Sequence, residues 1–152
     1  MAGSAADAGD VPVNDEELRQ LLLDTKTIAV VGLSANPDRP SNQVAWYLHH
    51  QGYRLFGVNP DSKDPDVFGI PMLPSLDQVP EPIDLVDVFR RPEHTPDVAR
   101  AAVGAGAGAL WLQLGIANPE ARAIAEAAGL RYVEDRCLKV EHARLLGRSV
   151  AG

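Results

Sequence analysis

The sequence holds one cysteine in 152 residues, Cys137, which excludes an intramolecular disulfide and fits a reducing cytoplasm. Long apolar runs are missing as well. No stretch approaches the roughly 20 apolar residues of a membrane span. Basic residues are in deficit, 14 Lys plus Arg against 21 Asp plus Glu, for a net charge of −7. That balance disfavours generic attraction to nucleic acid or to an anionic membrane, which Lys and Arg normally carry. An anionic ligand would have to be held by local features. Aromatic residues make up only 5%, so Trp46, Trp111 and Phe89 read first as core or helix-packing residues. What is present, 45% hydrophobic residues in a chain long enough to bury roughly 70% of its unfolded surface, suits one folded domain without a metal or disulfide scaffold.

Residues 1–13 open Ala/Gly-rich and polar and are expected to form a disordered tail, with one domain over residues 14–152. Asn14 followed by Glu17 reads as a capping box, and Leu18, Leu21 and Leu22 form one apolar face of the helix it starts. Five strands are predicted: Thr27–Val31, Arg54–Val58, Ile83–Phe89, Ala109–Gln113 and Arg131–Glu134. Several are continuously apolar, as in a parallel sheet covered on both faces. Between the first two, a helix is expected from about Asn42 to Gln51, capped by Ser41 or Asn42, with Val44, Ala45 and Leu48 inward and Gly52 ending it.

Thr95–Pro96 and Asn118–Pro119 each place a capping side chain before a proline at a helix start. The predicted buried stripes are Val98, Ala101 and Ala102 in one helix, and Ala121, Ile124, Ala125 and Ala128 in the other, which Gly129 stops. The crossover Asp61–Pro82 contains five prolines and is expected to hold only a short turn near Ser75–Val79 and an extended piece near Gly69–Leu73. A short last helix is predicted over Leu138–Leu146.

Ligands of open parallel α/β sheets bind beyond the carboxyl ends of the strands, near the point where strand order reverses. The first predicted strand leads into Gly32, Ser34, Arg39, Ser41 and Asn42, a glycine-led polar loop entering a helix. This is the expected phosphate position, because helix N-termini offer N–H groups and partial positive charge and the side chains add donors. The second strand ends in Val58, Asn59 and Pro60, the third in Phe89, Arg90 and Arg91, the fourth in Gln113–Leu114–Gly115, and the fifth in Asp135–Arg136–Cys137. Two adjacent guanidiniums after an apolar strand, in an acidic chain, favour an anionic ligand over plain solvation. Lys63, in an acidic stretch, reads as solvated.

The loop is not G-x-G-x-x-G, its prolines at 37 and 40 make it longer than a dinucleotide elbow, and Asn59 stands where an acid would bind a ribose 2′-hydroxyl. No P-loop motif occurs either. The ordered segments IAVVGLSANPDRPSNQVAWYL, GYRLFGVNP, IDLVDVFRRPE, ALWLQLGI and EDRCLKVEH resemble the small stand-alone coenzyme A-binding proteins, and the N-terminal CoA-binding domain of the succinyl-CoA synthetase α subunit. The resemblance runs from about Asn14 to Leu146. It implies an α/β, Rossmann-like three-layer fold, here with a mostly parallel five-stranded sheet, that binds the nucleotide-containing ligand CoA at the strand tips. The positions to carry over are Gly32, Ser34, Arg39, Ser41 and Asn42; Val58, Asn59 and Pro60; and Phe89, Arg90 and Arg91. Val58 and Pro60 are expected to offer an apolar surface to adenine or pantetheine.

The synthetase uses a second domain with a phosphorylated histidine and a nucleotide-binding partner subunit, and neither is legible here. The expectation is therefore non-catalytic binding of CoA or acyl-CoA by a cytoplasmic protein that binds no nucleic acid, membrane or metal. Two alternatives stay open: a CoA-binding subunit of an acyl-CoA ligase or transferase, and a Cys137 thiol switch forming a mixed disulfide with CoA. A homo-oligomer is also compatible. Cys137 reads more simply as a small buried apolar residue, although Arg136 beside it suits a thiolate. His49, His50, His94 and His142 read as solvated or capping residues, since no paired nucleophile is visible.

Overall fold

The computed structural model describes residues 13–147; the predicted N-terminal tail, apart from Val13, lies outside them. Helix α1 spans Asp15–Asp24, and both bonds of its capping box form between Asn14 and Glu17. Leu18, Leu21 and Leu22 are buried as expected. Strand β1, Thr27–Val31, is buried along its whole length. Its start is pinned by Asp84, whose carboxylate accepts from the Lys26 and Thr27 amides.

Helix α2 spans Pro40–His50. It begins earlier than predicted, with Arg39 at the cap position and Pro40 at the first turn, because the expected caps are engaged elsewhere. Ser41 Oγ accepts from the Ser34 amide, and Asn42 Nδ2 donates to the Ser34 carbonyl. The helix ends at Gln51, and Gly52 follows at φ +92°. Val44, Ala45 and Leu48 face the core. Trp46 corrects the expectation of a core residue: it is 51% exposed, whereas Trp111 is fully buried.

Strand β2 is Arg54–Val58, and the proline-rich crossover then forms a hairpin of β3, Asp66–Val67, and β4, Ile70–Leu73. The sheet therefore has seven strands rather than five. The expected extended piece near Gly69–Leu73 is β4; β3 and its pairing were not predicted, because Pro65 and Pro71 obscure them and proline is tolerated mainly at sheet edges. The hairpin's turn residues Phe68 and Gly69 have φ of +36° and +86°, and the Asp66 carboxylate accepts from the Gly69 amide. The expected turn near Ser75–Val79 is a 3-10 turn, Leu76–Gln78.

Strands β5, Leu85–Val88; β6, Ala109–Leu112; and β7, Arg131–Val133, are shorter than their predicted spans. Helix α3, Thr95–Gly104, follows a 3-10 turn Pro92–His94. Thr95 is its first residue rather than its cap, and Thr95 Oγ1 donates to the Pro92 carbonyl. Its buried residues are Thr95, Pro96, Ala99 and Ala102, so the predicted stripe was out of phase: Val98 is half-buried and Ala101 exposed. Helix α4, Pro119–Ala127, is capped by Asn118 as expected and buries Ala121 and Ala125. Ile124 is half-buried, and Ala128, just past the helix, is exposed. Helix α5 is Leu138–Leu145.

The sheet order is β3-β4-β2-β1-β5-β6-β7, and every pairing is parallel except β3 with β4. One face of the sheet packs Ile28, Val30 and Leu85 against α1, α2 and α5. The opposite face packs Ala29, Val31 and Val86 against α3 and α4. This is the mostly parallel, three-layer Rossmann-like arrangement. No helix among the described residues is long and apolar enough to cross a membrane.

Candidate functional site

Strand β1 runs between β2 and β5, with Val31 in register with Val58 on one side and Val88 on the other. The next residues, Gly32, Asn59 and Phe89, consequently come together at the carboxyl edge, where strand order reverses. The Gly32 amide donates to the Val58 carbonyl at 2.8 Å, and the Phe89 amide donates to the Val31 carbonyl at 2.9 Å. Gly32 sits at φ +89°, and a Cβ there would strike the Phe89 carbonyl. Both features require glycine. Asn59 Nδ2 donates to the Leu33 carbonyl at 3.2 Å, and its Oδ1 accepts from the Asp61 amide at 3.0 Å. Asn59 thereby braces the glycine loop against the loop after β2.

Within the loop, Ser34 Oγ accepts from the Asn36 amide and Ser41 Oγ from the Ser34 amide. Ser34, Ser41 and Asn42 thus shape the loop, with Ser41 itself buried. The helix N-terminus is less open than expected: Pro40 lacks an N–H, and the Asn42 and Gln43 amides both donate to the Arg39 carbonyl. Val58 is 4% exposed and gives the rim its carbonyl rather than an apolar surface; Pro60 is exposed. Phe89 is half-buried against the core. Arg90 is half-buried and Arg39 and Arg91 are exposed.

The remaining arginines are occupied very differently. Six form ion pairs: Arg54 with Glu81, Arg100 with Asp97 and Glu120, Arg122 with Glu134, Arg131 with Asp24, Arg136 with Glu141, and Arg144 with Asp15 and Glu141. Among the described residues only Arg19, Arg39, Arg90 and Arg91 carry guanidiniums without a partner. Three of these four stand on loops at the carboxyl edge of the sheet.

Comparison with known proteins matches residues 26–143 to the model of the CoA binding domain. The chain belongs to that family. YneT of Bacillus subtilis (strain 168), an uncharacterized protein, is 39% identical over 127 residues, covering 84% of this chain and 93% of its own. The solved structure of cell-free ID.343 from Thermus thermophilus is 43% identical with a TM-score of 0.84, covering 88% of this chain and 100% of that one. The fold also occurs within a larger enzyme, the dinucleotide forming acetyl-coenzyme A synthetase 1 of Ca. Korarchaeum cryptofilum. There the identity is 21% and the TM-score 0.66, over 76% of this chain and 27% of the synthetase.

Sequence reasoning about this CoA-binding domain missed a buried acid just beneath the rim. Asp87 of β5 is fully buried, and its Oδ1 accepts from Gln113 Nε2. The Gln113 carbonyl oxygen in turn accepts from the Leu138 amide at 3.4 Å, joining β5, β6 and the start of α5. Asp87 Oδ2 has no hydrogen-bond partner among the described residues. Burial pushes the Asp87 carboxyl up to about 7, with the Gln113 amide pulling the other way. The only sequence signal was an acid inside the apolar run IDLVDVF.

Cys137 is half-buried at the α5 cap and packs against the core. Arg136, expected beside a thiolate, is instead turned to Glu141 and the Val13 carbonyl. His142 is not solvated or capping as expected: it is 6% exposed, with Nδ1 2.8 Å from the Tyr47 hydroxyl. His49, His50 and His94 are exposed. An open groove of about 890 Å³ follows the β7 edge; it takes in Leu114, Asp135, Arg136 and Cys137 from the ends of the fourth and fifth predicted strands but none of the residues carried over from the CoA-binding resemblance. Its arginines, Arg122, Arg131 and Arg136, are all ion-paired, so it suits a polyanion less well than the rim.

Proposed function

We propose that this domain binds CoA or an acyl-CoA along the rim formed by Gly32, Ser34, Arg39, Ser41, Asn42, Asn59, Pro60, Phe89, Arg90 and Arg91, without itself carrying out a reaction. The observation that carries the reading is the placement of Arg39, Arg90 and Arg91, whose guanidiniums have no partner among the described residues of a chain of net charge −7 and which share the edge where Gly32 lies between β2 and β5. CoA presents a diphosphate and a 3′-phosphate. Arginines and backbone amides meet such groups by charge-assisted hydrogen bonds. The close fit of Gly32 against Phe89 lets loop and arginines approach one ligand together.

Calorimetry with the purified chain is expected to show saturable CoA binding that NAD does not match. Arg90→Ala or Arg39→Ala is expected to weaken it by about 1.5–3 kcal/mol, the usual worth of a hydrogen bond to a charged group. Equal affinity for NAD, or unchanged CoA affinity in both variants, contradicts the reading.

The larger synthetase that contains this fold favours a second reading, in which the chain supplies the CoA site to a partner bearing catalytic groups. Affinity capture from source cells is then expected to recover a stoichiometric second polypeptide. Recovery of this chain alone argues against it.

A further inference from the structure

The sheet has two edges, and they are built differently. β3 is two residues long and directly follows Pro65, which has no amide to donate. β7, Arg131–Val133, carries no proline and pairs on one side only, with β6. The Arg131 amide donates to the Gly108 carbonyl at 3.1 Å, and the Asp135 amide donates to the Ile116 carbonyl at 3.0 Å. Alternate residues therefore bond inward, and Tyr132 and Glu134 turn their backbone amides and carbonyls away from the sheet, where neither has a described partner.

The groove of about 890 Å³ lies along this edge, with Glu17 and Leu21 of α1 on one wall and Arg122 and Glu126 of α4 on the other. At its carboxyl end Leu114 and Val140 are 70% and 55% exposed, so apolar surface stands beside unpaired backbone. Charge along the groove is ordered. β7 begins with Arg131 and runs toward Glu134 and Asp135. α4 has the opposite polarity: Arg122 pairs with Glu134 at the carboxyl end, and Glu126, whose carbonyl accepts from the Gly129 amide, stands by the start of the strand. An identical strand laid antiparallel about Val133 places Tyr132 opposite the partner's Glu134, a pair that exchanges both backbone hydrogen bonds. The same rotation sets Arg131 opposite the partner's Asp135 and Arg122 opposite the partner's Glu126, and it carries Leu114 and Val140 toward the partner's Leu130. A parallel arrangement would set like charges side by side.

We propose that β7 pairs with β7 of a second copy of this chain about a two-fold axis at Val133, joining the two sheets into one across a homodimer. The surface is self-complementary, as a two-fold interface requires. Sixteen residues line the groove, fewer than the roughly 20–30 a side of a standard stable interface, so the dimer is reversible and depends on concentration. Gly32, Asn59, Arg39, Arg90 and Arg91 lie outside the groove, so the dimer leaves both proposed rims open and stands or falls apart from the CoA reading.

Sedimentation velocity of the full chain in reducing buffer, which keeps Cys137 from cross-linking copies, is expected to show a monomer–dimer equilibrium between about 1 µM and 1 mM. Amide hydrogen exchange read by NMR is expected to slow with concentration at Tyr132 and Glu134 more than at Val133, which already bonds to β6. Glu126→Arg and Arg122→Glu each set like charges face to face and are expected to weaken the dimer about tenfold, whereas an equal mixture of the two variants restores it, because each then meets an opposite charge. Val140→Asp, at an exposed position outside the fold's ion pairs, is expected to weaken it as well. Circular dichroism reports that each variant is folded. A chain that stays monomeric throughout overturns the pairing, as does a dimer whose Tyr132 and Glu134 amides exchange as fast as in dilute protein. So does a mixture that associates no better than its components. Protection of those two amides in a monomer at every concentration also overturns it, since the edge is then covered from within one chain.

Discussion

Replacing Asp87 with asparagine tests whether the buried carboxyl beneath the rim is neutral in the folded protein. Burial raises it from an ordinary 3.8 to about 7, so the protonated form is the one the fold accommodates. Its folded value lies above its unfolded value. The associated stability is therefore fully present below about pH 4 and is lost progressively as pH rises through 7. At 1.36 kcal/mol per tenfold change in proton affinity, the loss approaches about 4 kcal/mol at pH 8. Asp87→Asn has the same shape and never ionises, but its amide donors meet no acceptor at the position of the unpartnered Oδ2, which costs about 1 kcal/mol. The variant is expected to be about 1 kcal/mol less stable than wild type at pH 4 and about 3 kcal/mol more stable at pH 8. Urea denaturation followed by far-UV circular dichroism at pH 4, 6 and 8 measures this. Parallel pH profiles for the two proteins, or a variant less stable than wild type at pH 8, would refute a neutral Asp87.

Three further outcomes follow from other parts of the structure. Gly32→Ala forces a side chain at φ +89° against the Phe89 carbonyl, so urea denaturation is expected to show a loss of about 1–3 kcal/mol, with weaker CoA binding because the β1 and β5 tips must part. Burial holds His142 below its ordinary value, so its contribution is intact above about pH 6.5 and is lost as pH falls; His142→Gln, which cannot titrate, is expected to flatten the acid side of the thermal-stability profile. Ligand contacts made through exposed arginines are screened by salt, so CoA affinity is expected to fall severalfold between about 0.05 and 0.5 M NaCl; a salt-independent affinity would place the binding energy in apolar contacts instead.

Local rules recovered much of the fold because the interactions they describe span only a few residues. The Asn14–Glu17 capping box and the Asn118 cap each close within three positions, and β1 and β2 are apolar runs with sharp polar boundaries. The extended piece near Gly69–Leu73 became β4, but β3 and its pairing escaped because they are short and proline-bearing, and only their place at the sheet edge makes that tolerable. The α3 phase was misread because its buried face is built from Thr95, Pro96 and alanines, which carry little hydrophobic contrast. The exposure of Trp46 was within reach: with Val44, Ala45 and Leu48 inward, the helical period turns position 46 away from the core. The rim itself was legible because a parallel sheet brings all its carboxyl ends to one edge. The roles of Ser41 and Asn42 were not, since both are engaged by Ser34 across the loop. Nor was Asp87, whose partner lies 26 residues further along the chain.

On the proposed CoA reading, the distribution of arginine partners accounts for how an acidic chain would hold a polyanion at one place. Surface ion pairs contribute little to stability, typically under about 1 kcal/mol, so their larger effect here is to neutralise positive charge wherever they form. Arg54 and Arg131 are each matched to a carboxylate on exposed parts of the molecule, and Arg100 and Arg144 are each matched twice. Every such pair removes a competing anion site. Apart from Arg19 on α1, the unmatched guanidiniums left among the described residues are those of Arg39, Arg90 and Arg91, on loops that the strand order carries to the same rim. With net charge −7 repelling anions elsewhere, the contrast between this edge and the rest of the surface is larger than three charges alone would create. Pairing Arg90 with a nearby introduced carboxylate would therefore reduce affinity for a polyphosphate ligand while leaving the fold's own ion pairs intact.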